Sequence, residues 1–182
     1  MTPFILDELV ERARVAAASE NPKSALCALL QESLANSDAM ADAIAAMDDD
    51  EVMMLEDETC SIWTCRFDTE VVFPPHEHCM PVHIAVYRGA EVEVLYHRDP
   101  DRLRHVKNCV VAAGEVVSLG PDPIHAVTAE GEEQSHAIHI YEGPLAKVKR
   151  SLFDWASGGQ IEFTMENFHA NMRKKSETEE FR

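Results

Sequence analysis

Basic charge is what this sequence has least of: 16 Lys and Arg stand against 33 Asp and Glu, a formal net charge of −17. Phosphate backbones and anionic membrane surfaces repel such a chain, and no local basic cluster offsets the balance, so no nucleic acid and no membrane partner is expected. Paired cysteines are also missing. The five cysteines (Cys27, Cys60, Cys65, Cys79, Cys109) are odd in number, scattered and never in a CxxC motif, which argues against a disulfide framework and against a zinc knuckle. No apolar run approaches the roughly 20 residues needed to span a bilayer. Met1-Thr2-Pro3-Phe4 leads into a charged amphipathic pattern instead of a basic and then apolar leader, so no signal peptide is expected. Reduced thiols and the lack of a leader point to a cytoplasmic location. There is no internal repeat of fixed period and no low-complexity linker.

What is present reads as one folding unit. The 182 residues, 46% apolar and 27% charged, suit a single domain over 1–182 with one core and appendages. From Thr2 to about Met47 apolar residues recur at helical spacing, at Leu6, Leu9, Val10 and Ala13, then Leu26, Leu29 and Leu30, then Met40, Ile44 and Met47. Three short helices within residues 1–50 are predicted, their apolar stripes packing on the rest of the chain. Asn21-Pro22 reads as a cap followed by proline at the first helical position, and Ser37 as the cap of the third helix. The acidic run Asp48–Glu51 reads as a solvated junction.

Over residues 51–145 the texture changes to short β-branched and aromatic segments between turn residues, as in Cys60–Phe67 and Val82–Tyr87. Further strands are predicted at Glu91–Tyr96, Cys109–Ala112, Glu115–Leu119 and Ala137–Tyr141, with no helical pattern between them, which gives an antiparallel jelly roll. Over 146–182 a strand near Ile161–Phe163, a helix over Met165–Lys174 capped by Thr164, and a mobile tail at Ser176–Glu180 are expected.

The chemistry concentrates in Pro74-Pro75-His76-Glu77-His78. Alternate strand residues share a face, so His76 and His78 present two imidazoles to one interior. A third should come from a neighbouring strand, and His125, after Gly120-Pro121-Asp122-Pro123-Ile124, is well placed. His83, at odd spacing from His78, should face away from such a site. His97, His105, His136 and His169 have no ligand spacing.

His-x-His followed by Gly89, then Gly114-Glu115, a Pro-rich turn and His125, resembles the two-part signature of the cupin superfamily over about Glu70 to Tyr141. The resemblance implies an all-β core, a double-stranded β-helix (jelly-roll) barrel, with N-terminal α-helices and a short C-terminal helix appended. It implies one divalent metal on His76, His78 and His125. Where most cupins carry a fourth, glutamate ligand, the spacing to Gly89 gives Val82, so the resemblance narrows to three-histidine cupins such as cysteine dioxygenase and related bacterial thiol dioxygenases.

Ala137-Ile138-His139-Ile140-Tyr141 resembles the Ser-x-His-x-Tyr strand of those enzymes, with Ala137 in place of the serine. This implies that His139 orients the Tyr141 hydroxyl beside the metal as the catalytic pair. The cysteine that crosslinks to that tyrosine in the mammalian enzymes falls at His83, so no crosslink is expected. Arg66, from its strand position, is the candidate for binding a substrate carboxylate.

The implied activity is oxidation of a small thiol, of cysteine or 3-mercaptopropionate type, to its sulfinate, with dioxygen as co-substrate. Three neutral imidazoles leave a metal its full charge and about three open positions, enough for a bidentate thiol and dioxygen together. Iron(II) suits that task, with Ni, Zn, Mn or Cu as the alternatives an imidazole site admits. Cupins also pair through their sheets, so a homodimer is the implied assembly. Two other readings stay open: a different metal-dependent cupin enzyme (carbon–carbon-cleaving dioxygenase, isomerase or lyase), and a non-catalytic cupin that binds a metabolite.

Overall fold

The structure is a computed structural model and describes residues 4–181; residues 1–3, with the expected helix start at Thr2, and residue 182 lie outside the described residues. Three helices open the chain: α1 (Phe4–Ala17), α2 (Pro22–Ser33) and α3 (Ser37–Ala45). Asn21 caps α2 as expected, its side-chain oxygen accepting from Ser24 N at 3.3 Å ahead of the N-terminal proline. Ser37 does not cap α3. It is the first helical residue, and its hydroxyl donates backward to the Leu34 carbonyl at 2.8 Å. No helix is long and apolar enough to cross a membrane among the described residues.

Two antiparallel sheets follow. The first runs β1 (Glu51–Glu56), β2 (Ser61–Cys65), β9 (His136–Tyr141), β4 (Val82–Arg88), β7 (Val116–Leu119). The second runs β11 (Gln160–Glu162), β10 (Ser151–Phe153), β3 (Val71–His76), β8 (Ile124–Ala129), β5 (Ala90–Asp99), β6 (Arg102–Ala112), with β12 (Arg173–Lys174) also on β3. Consecutive strands repeatedly change sheet, as the expected double-stranded β-helix requires. Gly89 makes the turn from β4 to β5 at φ 68°, and a Cβ there would stand 2.6 Å from the Gln134 carbonyl oxygen, so glycine is required both by backbone and by space.

Alternation sorts the strands between core layers. On β9, Ile138 and Ile140 face outward against the helical stripes at Leu6, Leu26, Leu30, Met40 and Ile44, so the helices cover the outer face of the first sheet. Ala137, His139 and Tyr141 face inward, between the sheets.

The C-terminal part departs from expectation. α4 (Met165–Ala170) is capped by Thr164 as predicted but stops four residues short of Lys174, because Arg173 and Lys174 pair with Val72 and Val71 instead. Ser176–Glu180, expected to be mobile, folds into two short 3₁₀ turns with Thr178 only 2% exposed. Phe153, Trp155 and Phe181 lie against Val92, Val94 and Tyr96, covering the outer face of the second sheet.

Candidate metal centre

His76 ends β3, and the register places it directly opposite His125 on β8. Pro74 and Pro75 have no N–H to give the ladder, and the register shifts between Phe73 and His76, so the end of β3 leaves regular pairing where the first ligand stands. His78 lies just past the strand, in a turn that Cys79 completes at φ 56°, a left-handed conformation for a residue with a Cβ. The three imidazoles are buried and converge, with candidate ligand atoms all within 4.8 Å of one another.

Their protons can be assigned from their outer partners. His76 Nδ1 lies 2.9 Å from the Pro74 carbonyl, which can only accept, so this nitrogen donates and Nε2 is left with a lone pair. His125 Nδ1 meets the Glu93 carboxylate in the same way and leaves its own Nε2 bare. His78 Nε2 stands 3.0 Å from the first and 3.1 Å from the second. It can carry one proton at most, so at least one of these contacts sets lone pair against lone pair unless a cation lies among them. Burial, reinforced by His125, holds both His76 and His78 well below the ordinary histidine range, so both imidazoles are neutral. The donor set, three buried imidazoles with ligand atoms within 4.8 Å of one another, fits a divalent transition metal.

A second layer of side chains orients the first. Glu93, fully buried on β5, sits diagonally across the ladder from His125 and fixes its tautomer, the carboxylate–histidine pairing typical of metal sites. Glu91, two residues earlier and also fully buried, reaches across the barrel to β9, where His139 Nε2 donates to its two oxygens at 3.1 and 3.2 Å. His139 Nδ1 is left facing the Tyr141 hydroxyl at 3.5 Å. Burial alone would lower the His139 imidazole, but Glu91 outweighs it and the net shift is upward. Tyr141 lies edge-on to His78, ring centroids 4.8 Å apart, and burial keeps its phenol well above the ordinary value, hence protonated.

Tyr141, His76 and His78 border a cavity of about 120 Å³, with Arg150, Trp63 and Glu51 among its other walls. This is far smaller than the roughly 300–1,000 Å³ of a drug-sized site. Glu51 therefore departs from the solvated junction expected of the acidic run. Asp48, Asp49 and Asp50 are exposed, but Glu51 starts β1 and turns inward, where burial raises its carboxyl. Arg150 stacks on Phe163, guanidinium carbon 3.4 Å from the ring centroid, and has no hydrogen bond or ion pair among the described residues.

Arg66 is not brought to this cavity. Its guanidinium donates to the Ala45 and Met47 carbonyls at 3.0 and 3.2 Å and pairs with Asp50 at 3.0 Å, so it closes the C-terminus of α3. Among the described residues, the one Lys or Arg side chain on the cavity wall is Arg150. Val82 does face inward on β4, packed with Ile84, Val86 and Tyr141, and brings no carboxylate there. His83 points outward, toward α2, as its odd spacing predicts. Sequence reasoning missed Glu91, Glu93 and Arg150; the acids carried one signal, their alternation within Ala90-Glu91-Val92-Glu93-Val94.

No protein-family model and no curated protein sequence matches the chain. Solved structures do. A Bacillus halodurans protein aligns over 67% of this chain and 84% of its own, at 12% identity and a TM-score of 0.50. An RmlC-like cupin family protein with a double-stranded β-helix fold from Methanocaldococcus jannaschii aligns over 55% and 87%, at 14% identity and a TM-score of 0.45. A DMSP lyase structure aligns over 52% of this chain and 44% of its own, at 13% identity and a TM-score of 0.41. The alignment takes in only 22% of an 11S globulin from Wrightia tinctoria, so the chain spans less than half the length of these last two. At such identities the likeness concerns the fold alone. The barrel is read from this chain's own two antiparallel sheets, between which consecutive strands alternate, and inside it three buried histidines meet.

Proposed function

We propose that the chain is a metal-dependent dioxygenase that converts a small carboxylated thiol to its sulfinate, both oxygen atoms of dioxygen going to sulfur and the thiol proton to solvent. The observation that carries this reading is a single small cavity bordered by His76 and His78, the Tyr141 phenol and the unpaired guanidinium of Arg150. His76, His78 and His125 would hold the ion, and iron(II) there would supply the binding positions and the electron that dioxygen needs to react with a thiol.

The protein's own groups do the rest. Arg150, already stacked on Phe163, presents its donors to a substrate carboxylate, a geometry a planar guanidinium suits. The Tyr141 hydroxyl, beside His78, is a protonated donor for oxygen atoms on or near sulfur. His139, clamped by Glu91, keeps that hydroxyl turned inward. Glu91 thus anchors the histidine on the side opposite the tyrosine, where the resemblance to Ser-x-His-x-Tyr would have used a serine and the chain has Ala137. Trp63 and Phe168 line the cavity and limit water around the reacting atoms.

The test is oxygen uptake with cysteine and 3-mercaptopropionate, with sulfinate measured as product. Tyr141→Phe should keep its metal and fold and lose roughly 10²–10⁴-fold in rate. An unchanged rate would reduce the His139–Tyr141 strand to packing.

A second reading, an isomerase or lyase, has one observation in its favour. Glu51 places a carboxyl of raised proton affinity in the same cavity, a group that acid–base chemistry uses and thiol oxidation does not need. Turnover of a carboxylated substrate without oxygen uptake, lost in Glu51→Gln, would favour it.

A further inference from the structure

On the opposite side of β4 from the metal, four chemically active side chains meet that the proposed reaction does not use. His83 is fully buried beneath α2. Its Nε2 lies 2.7 Å from Glu142 Oε1 and its Nδ1 2.7 Å from Ser118 Oγ. Cys27, half-buried on α2, brings its sulfur to 3.3 Å from Ser118 Oγ and 3.5 Å from His83 Nδ1. Ser118 is held opposite His83 by the β4–β7 register, so the arrangement is built into the sheet.

The directions of the hydrogen bonds follow from the partners. A carboxylate only accepts, so neutral His83 carries its proton on Nε2 and donates it to Glu142, leaving a lone pair on Nδ1. Ser118 donates to that lone pair, and its oxygen can accept from the Cys27 thiol. The chain Cys27, Ser118, His83, Glu142 is thus an oriented path from a thiol to a base whose far side is fixed by a carboxylate, the order of groups that activates nucleophiles in enzymes. Of the two groups at its outer end, the thiol is the stronger nucleophile near neutral pH.

We propose that Cys27 is a base-activated nucleophilic thiol, a modification site for small soft electrophiles, independent of the metal centre. In the step, the sulfur forms a bond to the electrophilic carbon and the leaving group departs with its electron pair. The thiol proton passes through Ser118 Oγ to His83 Nδ1, and Glu142 holds the resulting imidazolium. If the four residues only joined α2 to the sheet, thiol reactivity would follow exposure instead. Cys79, the exposed cysteine, would then be the fastest to react.

The two cases separate under limiting iodoacetamide at neutral pH, with each cysteine's carbamidomethylation followed by peptide mass spectrometry in the full chain. Cys27 is expected to be alkylated faster than Cys79. Glu142→Gln and Ser118→Ala should slow Cys27 by about tenfold or more, the lower end of what general-base assistance usually contributes, and leave the Cys79 rate and the circular dichroism unchanged. His83 is fully buried and its replacement risks the fold, so the two flanking variants carry the test. Alkylation of Cys27 no faster than Cys79 in the parent, or a Cys27 rate unaltered in both variants, would overturn the proposal.

Discussion

Glu93→Gln separates a carboxylate that tunes a metal site from one that merely fills the barrel. The substitution is nearly isosteric, and the amide oxygen can still accept from His125 Nδ1, so the histidine keeps its tautomer and the interior gains no cavity. What is lost is the negative charge behind the third ligand, within a site where both His76 and His78 are neutral. Outer partners of this kind are typically worth about 10–100-fold in metal affinity, or about 1.4–2.7 kcal/mol. A chelator competition titration of parent and variant, with iron(II) and with zinc as a redox-silent control, reads that difference directly. The expected result is a Kd weakened about 10–100-fold with the thermal transition of the metal-free protein little changed. Affinities within twofold of each other would refute the idea that Glu93 acts through His125 on a metal.

Arg150→Ala should raise KM for a carboxylated thiol roughly 10–100-fold, the worth of a charged hydrogen bond, while leaving turnover of a thiol without a carboxylate unchanged in steady-state oxygen uptake; equal effects on both would remove Arg150 from substrate binding. Tyr87, buried under α2 with its hydroxyl 2.7 Å from Ser33 Oγ, has its phenol pushed up by burial to about 12 from 10.0. The unfolded chain therefore releases this proton first as pH rises, so the stabilisation is complete below pH 10 and is lost between 10 and 12, a few kcal/mol in all. Thermal unfolding followed across that range should fall more steeply for the parent than for Tyr87→Phe, and parallel curves would show the shift to be absent.

The barrel was legible because it depends on short-range periodicity. That rule put His139 and Tyr141 on one face of β9 and turned His83 outward, whereas His78, past the end of β3, is brought to His76 by the turn at Cys79 and not by strand alternation. β5 shows where that rule runs out. Alternation says Glu91 and Glu93 share a face but not which face is inside, and a polar face is usually the wet one. Here it is inverted, since Val92 and Val94 lie under Phe153, Trp155 and Phe181, chain segments whose docking no local pattern announces. The same C-terminal segment delivers Arg150 to the cavity, whereas Arg66, chosen on strand position, is drawn off by the free carbonyls at the end of α3. Long-range docking, not local propensity, decided each of these.

The central claim is that His76, His78 and His125 together hold one metal ion. Elemental analysis of protein purified without a histidine tag tests it most directly, comparing the parent with His76→Ala and His125→Ala after equal exposure to iron(II). The account predicts close to one equivalent in the parent and little in either variant, with both variants still folded because the barrel core supplies most of the stability. Stoichiometric metal in either variant would contradict it.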